Sequence, residues 1–481
     1  MPSCKATAFG ALLLLVMSQS YAATSDLAHR PPETPAGREL TAWLAAFNTG
    51  DLKALDRYLE TSTTEKFRSG MPTEQQLHDQ QYVGRFDLAE VEKSDPLQLT
   101  GLLKADDTGD LFEIVLRVTP DEAHRLDSVT LTPRPPASPA ARLSETALKI
   151  ALKARLDEWV KQDRFSGTVL LAQQGRIVFS GAYGYSDRSK RQLNTFDSRF
   201  RLGSINKAFT AIAILQQVQA GSIRLTDTVG AYLKDFPNKA IADKVTINQL
   251  LTHTGGTGEF FGPEFTAKRA KLKGLDDYLA INLMRALDFQ PGSQTQYSNY
   301  GYIILGAIIE RVSGESYYEY IRKHVYGPAG MTSSDTPPED RAIANRAIGY
   351  TKPLGTTVWL PNTDTLPNRG SSAGGGLSTA GDMLRFSQAL LGNKLLTAEY
   401  TSLAITAKPI PAYRGPPIGY GFADLRGPDG TGWIGGNGGA EGMNAHIKIY
   451  PKSGYVIVVL SNFDPPAADR VAEFVDRRLS H

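Results

Sequence analysis

Four prolines fall within seven residues at Pro133-Arg134-Pro135-Pro136-Ala137-Ser138-Pro139. Each fixes its own φ near −65° and removes a backbone donor, so no helix or interior strand should run through the stretch. An extended, semi-rigid spacer is the conformation it favours. A chain of 481 residues is too long for one ordinary core. The spacer, 133–140, is therefore expected to divide a small domain, 23–132, from a larger one, 141–481.

The first residues read as an address. Lys5 gives a positive start, residues 9–17 form a short apolar run, and Ser20-Tyr21-Ala22 offers small residues where a signal peptidase cuts. Nine apolar residues fall well short of the ~20 that span a bilayer. A signal peptide at 1–22, and with it a periplasmic or secreted protein without a membrane span, is the expectation. Cys4 is the only cysteine, so cleavage would leave no thiol and no disulfide.

Elsewhere composition mainly excludes. Hydrophobic content of 41% and charged content of 21% are those of a globular protein. The net charge is +2, without a basic run or an aromatic-interleaved stripe, so nucleic acid is not an expected partner. Seven scattered histidines without H-E-x-x-H give no zinc pattern, and no cofactor is expected.

In the first part, apolar residues recur at helical spacing over 36–59, with a break at Gly50. Residues 97–103, 111–118 and 126–131 read as strands separated by turn signals. Helices followed by strands predict a small α+β domain. In the second part an amphipathic helix over 144–160 precedes a hairpin, 167–171 and 177–182, around Gln174-Gly175. Near the end, 443–450 and 455–460 form another hairpin, and 467–479 a terminal helix. The middle is mostly helical. Strands at both ends predict one antiparallel sheet built from the two termini, with a helical insertion: an α+β fold.

Four segments carry candidate chemistry. Ser204-Ile205-Asn206-Lys207 stands before the apolar run 208–218. Spacing of three puts Lys207 on the face of Ser204, one turn on. A lysine buried there loses charge through desolvation and can accept a proton. Tyr297-Ser298-Asn299 follows 93 positions later, ahead of an apolar helix over 302–312. The tyrosine can relay a proton, and Asn299 can hold the lysine or a substrate carbonyl. Leu250-Leu251-Thr252-His253-Thr254-Gly255-Gly256 contains His253, read as a structural histidine. Gly435-Gly436-Asn437-Gly438-Gly439 precedes the terminal hairpin; it is either a glycine turn or a backbone edge close to a ligand. On the second reading the N–H groups of Ser204 and Gly439 form an oxyanion hole, and Asn437 and Gly438 are candidate substrate contacts.

In order, these residues resemble the class C β-lactamase and penicillin-binding-protein-like serine hydrolases, a family that includes esterases, D-amino-acid peptidases and carboxypeptidases as well as β-lactamases. The likeness runs from about 141 to the end. It includes Phe200-Arg201-Leu202-Gly203 before Ser204, the glycines of 371–376 followed by Leu377-Ser378-Thr379, and Leu460-Ser461-Asn462. It implies a sheet flanked by helices, an all-helical subdomain and a site between them. Members usually carry Lys-Thr-Gly or His-x-Gly where this chain has Gly436-Asn437-Gly438, so the cation is missing. Lys452-Ser453-Gly454 reads as a hairpin turn and not as the displaced motif. The first part resembles the small cone-shaped α+β domains related to ketosteroid isomerase, with no catalytic residue carried over.

The expected function is an acyl-enzyme serine hydrolase acting on a small-molecule or peptide-like ester or amide, favouring neutral acyl groups. Ser204 is the nucleophile, and Lys207 and Tyr297 handle the proton. A rival nucleophile, Ser372 in Gly370-Ser371-Ser372-Ala373-Gly374, lacks the buried strand that a G-x-S-x-G elbow requires. Two competing readings are a binding protein that kept the fold without catalysis, motivated by Gly436, and a small apolar ligand bound in the cone of the first domain.

Overall fold

The structure is a computed structural model that describes residues 30–106, 109–134, 141–281, 283–356, 358–413 and 415–480. The signal-peptide reading and most of the Pro-rich spacer lie outside these residues. The chain separates into two compact units, Met1–Ala140 with Lys352–Val358, and Ala141–Thr351 with Trp359–His481. Nothing in the sequence pattern signals that residues 352–358 group with the first unit.

The first unit runs α1 (Pro35–Phe47), α2 (Leu52–Ser62), α3 (Glu65–Gly70) and α4 (Thr73–Val83), then β1 (Phe86–Ser94), β2 (Gln98–Ala105), β3 (Leu111–Val118) and β4 (Leu126–Arg134). The strands form one antiparallel sheet in sequence order. Thr34 and Asp51 cap α1 and α2 by accepting from Gly37 N and Ala54 N. Trp43, Phe47 and Phe86 stack between helices and sheet, and Trp43 Nε1 donates to buried Gln76 at 3.1 Å. These rings belong to the unit's hydrophobic core. β4 continues through Pro133, opposite Phe112. That is two residues beyond the strand read from sequence, and β4 is an edge strand, where a missing donor costs no ladder bond.

The second unit opens with α5 (Glu145–Lys161), capped by Ser144, and the hairpin β5 (Gly167–Gln173) and β6 (Arg176–Tyr183). Its main helices are α6 (Asn206–Gln219), α7 (Asn299–Ser313) and α8 (Ala380–Leu391). The chain returns through β7 (Ile434–Ala440), β8 (Met443–Ile449) and β9 (Tyr455–Ser461) to α9 (Ala467–Asp476). The sheet order is a two-residue strand Ala423–Asp424, then β7, β8, β9, β5 and β6, all antiparallel. The two termini of the unit thus make one sheet, and the helices lie between them in sequence.

Both faces of this sheet are covered. Leu170, Val458 and Leu460 join the core with α6, α7 and α8. Val169, Ile457 and Val459, one residue out of phase, pack with α5 and α9. Alternate side chains point to opposite faces, so strands buried on both sides read as unbroken apolar runs, as β9 does. The residues 435–439 are not a turn. They are the body of β7, paired along its length with β8. The short strand on its other side reaches only Ile434 and Gly435, which leaves the edge from Gly436 onward open toward the start of α6.

Candidate active site

Ser204 occupies the single 3₁₀ turn Gly203–Ile205 that runs directly into α6. Gly203 has φ +52°, a left-handed conformation that glycine adopts without steric cost. A side chain there would meet Gly439 N at 2.8 Å. In return, a Cβ on Gly438 would lie 2.1 Å from Leu202 O and 2.6 Å from Ser204 N. Two backbones therefore touch at Ser204, and the N–H groups of Ser204 and Gly439 are neighbours. Gly438→Ala is expected to lower kcat/KM by about 100-fold, since displacements of ~1 Å at reacting groups cost that much. A kcat/KM within twofold of wild type would show that the approach is not needed.

Lys207 stands one turn along α6 and is buried. Its Nζ donates to Ser204 Oγ at 3.2 Å, Asn299 Oδ1 at 2.6 Å and Ala373 O at 2.6 Å. Burial drives its pKa from 10.5 down to about 7, against the pull of the Glu259 carboxylate. Tyr297 also reaches Ser204, its hydroxyl donating to Oγ at 2.7 Å, and Lys207 Nζ lies 4.7 Å from the centre of its ring. Burial pushes the phenol up to about 12, with the Ser204 hydrogen bond opposing and Glu259 adding to the rise. At neutral pH the tyrosine is thus a neutral phenol, and the lysine is the group poised to exchange a proton.

His253 is a structural residue. It is buried, and burial together with Lys207 lowers its pKa to about 3, so the ring is neutral. Its Nδ1 accepts from Ser298 N at 3.2 Å, and its ring lies 4.5 Å from that of Tyr297. It fixes where the tyrosine stands.

Asn299 begins α7, whose N-cap Ser298 accepts from Gly301 N. Its oxygen accepts from Lys207 and its Nδ2 donates to Glu259 Oε2 at 2.6 Å. Both ends of the amide are engaged, which makes it a holder of the lysine. Glu259 was not read from the sequence: it follows Gly258 in a loop, where no periodicity marks it.

Asn437 departs from its expected place. Gly438 faces the Ser204 turn, so 437 points to the opposite face of β7, where its amide donates to Asp469 of α9 at 3.2 Å. It does not line the cavity around Ser204. Gly438, on the near face, lies against the Ser204 turn. Ser372 is fully buried, and its Oγ lies against Gly306 of α7. Its neighbours Ser371, Ala373 and Gly374 line the cavity as a wall.

The cavity around Ser204 measures about 540 Å³. Arg201 lines it, but that buried guanidinium pairs with Glu339 and donates to Gly375 O at 3.1 Å. Lys268 bonds Glu264 at 2.7 Å, and neither it nor Arg269 lines the cavity. No side-chain cation in the described helical insertion takes the place left by Gly436.

The profile of the Beta-lactamase family matches residues 151–480. The chain belongs to the β-lactamase family. Penicillin-binding protein 4 of Amycolatopsis lactamdurans is 31% identical over 288 residues, covering 56% of this chain and 73% of that one. The penicillin-binding protein of Bacillus halodurans matches in structure with a TM-score of 0.59 and 32% identity, covering 66% of this chain and 98% of its own. A D-stereospecific amidohydrolase from Streptomyces matches with a TM-score of 0.57 and 25% identity over 69% of this chain and 98% of its own. Membership in the β-lactamase family supports serine hydrolase activity in general, and no described helix is long and apolar enough to cross a membrane.

Proposed function

We propose that this β-lactamase-family protein hydrolyses esters or amides with neutral acyl groups through an acyl-enzyme on Ser204. The observation that carries the reading is the hydroxyl of Ser204 held between Lys207 Nζ at 3.2 Å and Tyr297 OH at 2.7 Å. Ser204 Oγ attacks the carbonyl carbon. Its proton passes to neutral Lys207, and Tyr297 returns a proton to the leaving oxygen or nitrogen as the bond to carbon breaks. The N–H groups of Ser204 and Gly439 are the donors for the oxyanion. Water then attacks the acyl-enzyme, loses a proton by the same route and releases the acid.

The preference for neutral substrates follows from charge. Gly436 supplies no cation, Arg201 is already paired, and Glu441 stands on the cavity rim. A substrate carboxylate would leave water without a new counter-charge, which costs several kcal/mol in a dry site. A short-chain p-nitrophenyl ester should therefore be hydrolysed faster than a chromogenic cephalosporin.

Gly436 has no atom within 4 Å of an added Cβ, so a side chain fits. Gly436→Lys is expected to raise the ratio of cephalosporin to ester kcat/KM by ~10- to 150-fold, the value of one charge-assisted hydrogen bond. Rapid cephalosporin turnover by the wild type, unimproved in this variant, would overturn the preference. Failure of a fluorophosphonate probe to label Ser204 would favour the non-catalytic binder.

A further inference from the structure

One wall of the cavity is built from aromatic rings that the acyl-transfer steps do not use. Phe260, Phe261 and Phe265 follow Glu259 within a single loop and short helix. Their rings touch: 4.4 Å between 260 and 261, 4.9 Å between 261 and 265, and 5.6 Å between 260 and 265. Tyr278 backs Phe260 at 5.4 Å. Leu366 and Met443 face the cavity from two other segments, and both are buried. Phe260 and Phe265 are buried as well, whereas Phe261 is 54% exposed while still lining the cavity.

A phenylalanine left half in water forgoes part of the stabilisation that burial gives, yet its neighbours hold the ring in place by edge contacts. A second apolar body entering the cavity would complete the burial. The wall lies on the side of Asn299, because Glu259, which holds the Asn299 amide, is the residue before Phe260. Ser204 and the three rings line the same cavity, so a group attached to the carbonyl that Ser204 attacks can be placed against them.

We infer that the site takes a bulky apolar acyl group, aryl-alkanoyl or medium-chain alkanoyl, seated against Phe260, Phe261 and Phe265. This rests on the acyl-enzyme reading above and names the substrate class within it. Each added methylene that enters the wall should raise kcat/KM about fourfold until the space is filled. Arylalkanoyl groups gain further from edge-to-face contact with the rings.

The test is a series of p-nitrophenyl esters with one leaving group: acetyl, butanoyl, hexanoyl and 3-phenylpropanoyl. The expected result is a kcat/KM that climbs along the series, with the 3-phenylpropanoyl to acetyl ratio reduced at least tenfold in Phe261→Ala. Because Phe261 is half-exposed, that variant keeps the fold, which a melting curve checks. In parallel, calorimetry of 3-phenylpropanamide and acetamide binding should show tighter binding of the first, lost in Phe261→Ala. Turnover that is flat across the series, or a ratio unchanged in Phe261→Ala, overturns the pocket and leaves the hydrolase standing. Selective amide binding without turnover of any ester upholds the pocket and overturns the hydrolase. Neither turnover nor selective binding overturns both.

Discussion

Ser204→Ala is expected to reduce ester hydrolysis by on the order of 10³-fold or more, as removal of one member of a nucleophile–base unit does. The fold should survive. Alanine is well tolerated at the start of a helix, and Lys207 keeps its bonds to Asn299 and to Ala373 O. The loss falls on Tyr297, whose hydroxyl donates to Ser204. Turnover of a p-nitrophenyl ester by the purified variant, beside its melting curve, is the measurement. Wild-type turnover would remove Ser204 from the mechanism.

Replacing Lys207 should have an equally large effect on rate and a distinctive one on stability. Lys207→Met fills the same space without the amine, and turnover should fall by on the order of 10³-fold or more. In the wild type, kcat/KM should rise about tenfold per pH unit below pH 7 and level off above it, as the amine becomes free near its pKa of about 7. The stability arm follows from linkage. Between pH 7 and 10.5 the unfolded lysine carries a proton that the folded one has lost. Raising the pH therefore favours the folded wild type, by about 1.4 kcal/mol per pH unit. The methionine variant lacks this contribution, while its other groups titrate as in the wild type. The stability difference, wild type minus variant, should accordingly climb over that window and be flat below pH 7. A difference independent of pH would mean that the lysine is charged in the folded state.

What could be read in advance was local. Ser204 with Lys207, and Tyr297 with Asn299, are short-range patterns on the first turns of two apolar helices, and the fold carries them to within hydrogen-bond distance. Misread parts depend on contacts that spacing does not encode. Residues 435–439 offer almost no side chains, so no alternation marks them as a strand, and without that register the direction of Asn437 could not be known. Strand β1 carries Asp87, Glu90, Glu92 and Lys93 and is largely exposed, so it lacks the apolar signature by which β2 and β3 were found. Glu259 meets Asn299 across 40 positions. The only hint of the aromatic wall is the adjacent pair Phe260-Phe261, which reads equally as core.

The sheet joins strands from opposite ends of the second unit, and this sets when the enzyme can exist. β9 pairs with β5 through Ser461 and Gly167, and Ser461 Oγ bonds Ser166 O across 295 positions. Closing so long a loop comes late in folding, since its entropy is lost before its contacts form. β7, which carries Gly439, also follows Ser204, Lys207 and Tyr297 in the sequence. During synthesis, Ser204, Lys207 and Tyr297 thus emerge well before the strand that brings Gly439 beside Ser204. The nascent chain holds Ser204 before Gly439 exists, and the acyl-transfer site proposed above is complete only once β7 has been made and paired.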